Sequence, residues 1–206
     1  MSSPPRNDIP DLRKLPLVID APRLRLRPIE PRDAEDLWPF AADPSVSRFL
    51  AWAPHESIEQ TRAFIEFCID SLQKGADVVW VIEHEGRACG CVGLHGITWQ
   101  LVDWRVDRAD LGYWLAPPLW GRGLMSEAAA AAARWAFEIL GLHKVTIGYL
   151  EGNEASKRII EKLGFRYLAA FEEDVWRDGR WLRHQRYELT AGEWHLKAAS
   201  PPRRGG

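Results

Sequence analysis

The sequence holds no run approaching the ~20 apolar residues that a membrane-spanning helix needs. Residues 1–16, MSSPPRNDIPDLRKLP, also lack the apolar stretch of a secretion signal. Charge of one sign is missing as well: 27 Lys and Arg stand against 29 Asp and Glu, a net charge of −2. No broad basic field therefore invites nucleic acid, and no broad acidic trough invites a polycation, although a local carboxylate cluster stays open. Cysteine is scarce. Cys68, Cys89 and Cys91 are odd in number and lack metal-ligand spacing, which argues against a disulfide framework or a zinc site and for reduced, buried thiols. Cys89-Gly90-Cys91 alternates on an expected strand, so both thiols are expected on one face. There is no internal repeat. These absences leave a cytoplasmic globular chain with no metal, no nucleic acid and no membrane among its expected partners. At 206 residues it is long for one domain and short for two.

What is abundant is tryptophan, eleven residues in all, expected mainly in core gaps, with a minority as candidates to line a pocket. Residues 1–16 and 196–206 are rich in Pro and polar groups and read as tails. Between them, Leu24-Arg25-Leu26-Arg27 alternates as a half-exposed strand, and 32–42 reads as a helix strained by Pro39. Ser57-Ile58-Glu59-Gln60 has the form of a capping box opening a helix that Gly75 ends. Strands are predicted at 78–84 and 88–97 around the loop Glu85-Gly86-Arg87, and again at 110–115 and 144–150. The stretch 122–140, with alanine at every position from 128 to 133, is a helix ending at Gly141. A further helix at 154–163 is closed by Gly164, and strands near 165–175 and 183–190 flank the turn Asp178-Gly179. This order predicts one α/β domain with helices mounted on both faces of a mixed, mostly antiparallel, twisted sheet.

Chemistry concentrates where the 110–115 strand runs through Gly121-Arg122-Gly123 into the alanine helix. Such a turn offers unpaired backbone N–H groups and the positive end of a helix dipole, and glycines let a phosphate approach the backbone. The bland alternative is a tight helix-start turn. Two other phosphate loops fit poorly, since no Gly-Lys-Ser/Thr follows and Ser126 fills the third glycine position of Gly-x-Gly-x-x-Gly.

The segment Gly112–Leu115, Pro117, Trp120–Gly123, Glu127-Ala128, followed about thirty residues later by Asn153-Glu-Ala-Ser156…Lys162-Leu-Gly164-Phe165, resembles the GNAT acetyltransferases. Their Arg/Gln-x-x-Gly-x-Gly/Ala signature is matched at Gly121 and Gly123, while Pro118 stands at the Arg/Gln position. That departure and the Gly-Tyr-Trp-Leu run are similar to the branch of ribosomal-protein N-terminal alanine or serine acetyltransferases. The likeness covers roughly residues 17–194, so the GNAT domain is expected over 17–195.

The resemblance implies acetyl-CoA as co-substrate, held around Tyr113, Trp114, Leu115, Trp120, Gly121, Arg122, Gly123, Leu124 and Asn153. A backbone N–H near Tyr113–Leu115 would serve as oxyanion donor, and Asn153 would both cap its helix and touch pantetheine. The family's usual tyrosine, seven residues after the asparagine, is Ile160 here, so the resemblance passes the thiolate's proton donor to Ser156. The bland reading of Ser156 is a helix-start serine bonded to local backbone. For the general base, Asp110 and the Glu172, Glu173, Asp174 run, with Glu173 foremost, stand beside a base acting through water. Trp52 and His55 are candidates to meet the acceptor, or else pack on the core. Lys157 and Arg158 are within sequence reach of the ribose phosphate. The acceptor is a primary amine, either a protein N-terminus or a small molecule such as an aminoglycoside or polyamine. A non-catalytic CoA-binding sensor is the rival from another class, and a homodimer is open.

Overall fold

The computed structural model describes residues 8–177 and 179–199. In chain order the strands and helices are β1 Ile19–Asp20, β2 Arg25–Pro28, α1 Ala34–Ala41, α2 Pro44–Ser47, α3 Ile58–Gln73, β3 Val78–His84, β4 Arg87–Leu101 and β5 Trp104–Leu115. There follow α4 Leu124–Arg134, β6 Lys144–Leu150, α5 Glu154–Leu163, β7 Arg166–Arg177, β8 Arg180–Thr190 and α6 Ala191–Ala199. The strands form one eight-stranded sheet in the order β1-β2-β3-β4-β5-β6-β8-β7. Only β5 and β6 run parallel; the other neighbouring pairs are antiparallel. This is the expected mixed α/β architecture.

Two apolar layers sandwich the sheet. One face packs Leu94, Leu111, Val145 and Ile147 against the small side chains of α4 (Ala128, Ala129, Ala132, Ala133) and against Ile160 of α5. Alanine at four inward positions lets α4 lie close to the strands while its helix propensity holds the turn. The other face packs Val79, Val81, Cys91 and Trp114 against Leu37 of α1 and Ile65 and Cys68 of α3. An ion cluster ties the first strands to this layer. Arg27 grips Asp33, itself 3% exposed, at 2.6 and 2.9 Å, and also reaches Glu83 at 2.8 Å. Those carboxylates raise the Arg27 guanidinium above its ordinary range against the opposing effect of burial.

Several expectations are corrected. The Ser57 side chain does not cap α3; instead the Gln60 side chain accepts from the Glu56 backbone N–H at 2.7 Å. Cys89 and Cys91 point to opposite faces, one into each apolar layer, because a bulge against β3 between Val81 and Glu83 inserts an extra residue and breaks the alternation. All three thiols are buried and unbridged. The strands β4 and β5 extend to Leu101 and back from Trp104, a longer hairpin than predicted. The alanine helix is regular only over Leu124–Arg134 and widens into a π turn over Trp135–Leu140. Residues 9–16, expected within a tail, include a 3-10 turn at Leu12–Lys14 with Leu12 buried. The segment beyond 195 continues α6 to Ala199. Residues 1–7, Asp178 of the expected turn, and 200–206 lie outside the described residues.

Candidate active site

The site originates in a fault of the sheet. β5 pairs with β6 only through Arg108, Ala109 and Asp110. Beyond Asp110 the two strands part, while β5 remains paired with β4 as far as Leu115. Backbone groups of 111–115 that face the gap have lost their strand partner, and an open backbone polar group demands a ligand or water. Leu115 is one that is satisfied, its carbonyl accepting from the Trp120 indole at 2.7 Å.

Beyond the gap, the 3-10 turn Pro117–Leu119 leads to Gly121 and Gly123, with φ of 73° and 78°. Both lie in the left-handed region that disfavours a side chain, and a Cβ on Gly121 would meet nothing within 4 Å. α4 begins at Leu124 with no side-chain cap, so its first amides are free to bind an anion. Arg23 braces this loop from β2's end of the sheet. Its side chain donates to Glu127 at 2.7 Å and to the Arg122 carbonyl at 2.8 Å, and its backbone N–H donates to Glu127 at 2.8 Å. Arg23 carries no motif signal, since its partners lie 99 and 104 residues away.

A cavity of about 460 Å³ lies between the end of β5, the starts of α4 and α5, and the segment from α2 to Leu50. Of the residues expected around CoA, Tyr113, Trp114, Leu115, Trp120, Gly121, Gly123, Leu124, Asn153 and Ser156 line it; Arg122 instead contributes its carbonyl to the Arg23 brace. Its charged lining, among the described residues, is Arg48, Arg158 and Lys162, with no carboxylate. Lys157 is paired with Glu154 at 3.8 Å. Glycines in left-handed geometry, a helix start and a cationic rim fit an extended ligand carrying phosphates.

At the α5 end, the Asn153 side chain caps the helix, accepting from the Ser156 N–H at 3.1 Å. The Ser156 hydroxyl lies 3.0 Å from the Tyr113 hydroxyl. Burial pushes the Tyr113 phenol up to about 12, with the Ser156 bond opposing, so it stays protonated at neutral pH. Ile160, at the position of the family's tyrosine, is fully buried in the core.

The remaining candidates lie apart. Trp52 and His55 line a second, small cavity together with Trp114 and Phe64. Trp52 lies tilted against His55, centroids 5.1 Å apart, and meets Trp114 edge-on at 6.1 Å, while the His55 Nδ1 lies 2.9 Å from Thr61 Oγ1. Phe49 and Leu50, from the same loop, line the larger cavity. The Asp110 carboxylate is engaged by Arg186 at 2.6 Å and by the Thr146 hydroxyl. Glu173 is exposed, at φ +49° in the irregular middle of β7. Its neighbours are paired, Glu172 with Arg183 and Asp174 with His184 at 3.0 Å. No cluster of metal-ligating side chains occurs among the described residues, and no helix there is long and apolar enough to cross a membrane.

A parallel strand pair that parts beside an uncapped, glycine-led helix start leaves room and free amides for an extended phosphate-bearing ligand. The comparisons agree. Residues 23–166 match the acetyltransferase (GNAT) domain family, so the chain belongs to the GNAT family. It is 29% identical over 174 residues to the putative ribosomal N-acetyltransferase YdaF of Bacillus subtilis, covering 81% of this chain and 88% of the relative. In structure it is similar to Mycobacterium smegmatis RimJ in complex with CoA-disulfide (TM-score 0.78, 21% identity, 85% and 88% of the two chains). It is also similar to the spermidine N-acetyltransferase of Vibrio cholerae in complex with CoA and spermine (TM-score 0.74, 21% identity, 84% and 98%). The chain is thus a GNAT N-acetyltransferase with acetyl-CoA as co-substrate.

Proposed function

We propose that the chain acetylates a primary amine, foremost a protein N-terminal α-amine, by direct attack of the amine on acetyl-CoA in a ternary complex. The observation that carries this is the hydroxyl pair of Tyr113 and Ser156, 3.0 Å apart in the cavity beside the parted strands. The pyrophosphate lies on the amides at the start of α4, between Gly121 and Gly123, with Arg158 and Lys162 on the phosphate side. Asn153 orients the first turn of α5, which sets the Ser156 hydroxyl. A gap-facing amide of β5 near Tyr113–Leu115 stabilises the oxyanion. As the C–S bond breaks, Ser156 gives its proton to sulfur and Tyr113 holds the serine oxygen.

Support for the α-amine comes from the ribosomal name of the 29% identical relative. The cavity's cationic lining favours phosphates and offers a polyamine no carboxylate among the described residues. An α-amine of pKa about 8 also needs little help to deprotonate. The same reading makes this a cytoplasmic enzyme, which suits three unbridged thiols.

The test is thiol release from acetyl-CoA with peptides beginning Ala, Ser or Met and with spermidine, the products located by mass spectrometry. Acetylation at a peptide N-terminus is the expected result. Turnover of spermidine alone would replace the acceptor, and tight CoA binding with no transfer to any amine would leave a sensor.

A further inference from the structure

β4 and β5 face each other with glycine at both members of one pair, Gly93 and Gly112. Glycine inside a strand forfeits stability and usually marks something close to the backbone. Here that object is the imidazole of His95. A Cβ on Gly93 would come within 2.9 Å of its Nε2, and one on Gly112 within 3.2 Å of Nε2 and Cδ2. The ring therefore lies along the strands, its Nε2 edge over the glycine pair, in space that two side chains would otherwise fill.

That position is at the fork. His95 is the register partner of Asp110, the last β5 residue paired with β6, and Gly112 is already in the stretch that β6 has left. Neighbouring strand residues point to opposite faces. Tyr113, whose hydroxyl meets Ser156, thus lies on the α4 face, and the imidazole over Gly112 lies on the face of α1 and α3. The larger cavity draws on both faces, with Tyr113 from one and Trp114 from the other.

The ring is available for chemistry. It has no hydrogen-bond partner among the described residues, and the residue is exposed although one side of the ring is packed on the strands. Desolvation on that packed side lowers its pKa below the ordinary histidine value, opposed by the carboxylates of Asp77 and Asp110. Asp77 is bonded to the Gly96 N–H at 2.7 Å, and Asp110 is held by Arg186 of β8 and Thr146 of β6. The imidazole thus stays neutral at pH 7, with a lone pair to offer.

We propose that His95 is the proton acceptor for the incoming amine, acting from the sheet face opposite Ser156. The assignment rests on the amine-transfer reading above. An ammonium group gives one proton to His95, and its freed lone pair attacks the acetyl carbonyl carbon. The C–S bond breaks, Ser156 protonates sulfur, and the serine regains the second proton that nitrogen loses on becoming an amide. His95 passes its proton to solvent, so the sum is ammonium plus acetyl-CoA giving amide, CoA thiol and one proton.

The test uses the whole chain, acetyl-CoA and whichever of the Ala-initial peptide or spermidine the wild type acetylates. His95→Gln should leave CoA affinity within about twofold and lower kcat for the peptide at pH 7 by about tenfold, since only about a tenth of an α-amine of pKa about 8 is neutral there. Wild-type kcat should be flat from pH 7 upward and fall only below the histidine range. In the variant, kcat should climb tenfold per pH unit toward the amine's own pKa, and added imidazole should restore part of it. Unchanged kcat overturns the proposal. A uniform loss with the wild-type pH profile and no imidazole rescue also overturns it, leaving His95 a packing residue. A wild type that acetylates neither amine overturns the amine-transfer reading and this assignment with it.

Discussion

Removing the two hydroxyls of Ser156 and Tyr113, singly and together, tests whether they work as one unit. Ser156 is 8% exposed and its hydroxyl lies 3.0 Å from that of Tyr113. In Ser156→Ala the departing thiolate loses a charge-assisted donor worth about 1.5–3 kcal/mol, so kcat should fall by about 10- to 150-fold. Tyr113→Phe removes only a neutral hydrogen bond to the serine, worth about 0.5–1.5 kcal/mol, so its loss should be about 2- to 12-fold. Because the phenol is held near 12 and stays protonated, that loss should not vary between neutral and mildly alkaline pH. If Tyr113 acts only through Ser156, the double variant should be no slower than Ser156→Ala. The coupling energy would then equal the whole Tyr113→Phe effect. Single-turnover acetyl transfer at saturating acetyl-CoA is the suitable assay, since slow CoA release cannot mask chemistry there. CoA binding by each variant controls for the fold. Ser156→Ala within twofold of wild type would refute the donor role. A full Tyr113→Phe penalty in the Ser156→Ala background would refute the coupling.

Gly123→Val should raise the Kd for CoA at least about tenfold and cost about 1–2 kcal/mol of stability without ligand, because φ is +78° and the new Cβ lies 3.5 Å from Arg23 Nη2; calorimetry and thermal melting measure both. Arg27→Met should destabilise the fold by about 3–5 kcal/mol in urea unfolding, since it strands the buried Asp33 carboxylate. A loss under 1 kcal/mol would mean Asp33 finds another partner. His55 is held below its ordinary pKa by burial, so the unfolded chain binds its proton more readily. Stability from this group is complete above about pH 6.5 and declines as pH falls toward the folded pKa; His55→Leu should flatten urea-unfolding stability across that window relative to wild type.

Local chemistry was legible wherever it decided the structure. The predicted 144–150 strand and 154–163 helix agree residue for residue with β6 and α5, because Asn153 caps one end and Gly164 closes the other. The two motifs meet in space as their order suggested, with Tyr113 of the first touching Ser156 of the second. What escaped depends on partners distant in sequence. The opposed faces of Cys89 and Cys91 follow from a bulge against β3 that no local pattern announces. The capping box has the right letters, but Gln60 found a better donor in Glu56. His95 carries no motif; its one trace is the spacing Gly93-x-His95, which gains meaning only when Gly112 is known to lie opposite. Trp52 and His55, expected from their loop to meet the acceptor or else pack on the core, line the smaller cavity, while Phe49 and Leu50 of the same loop line the larger one.

The Arg23 brace has a consequence for how the protein can be divided. The loop that faces the donor's phosphates is shaped by a residue preceding β2, bonded to both the Arg122 carbonyl and Glu127. A truncation starting at β2 would keep every proposed catalytic group and every glycine of the loop. It would nonetheless leave the Glu127 carboxylate near the first turn without its cation and the loop without its tether. Donor affinity would then drop in a protein whose binding residues are all intact, in part through the entropy of a loop no longer held in one shape and in part through the loss of the buried Leu12 and Leu24.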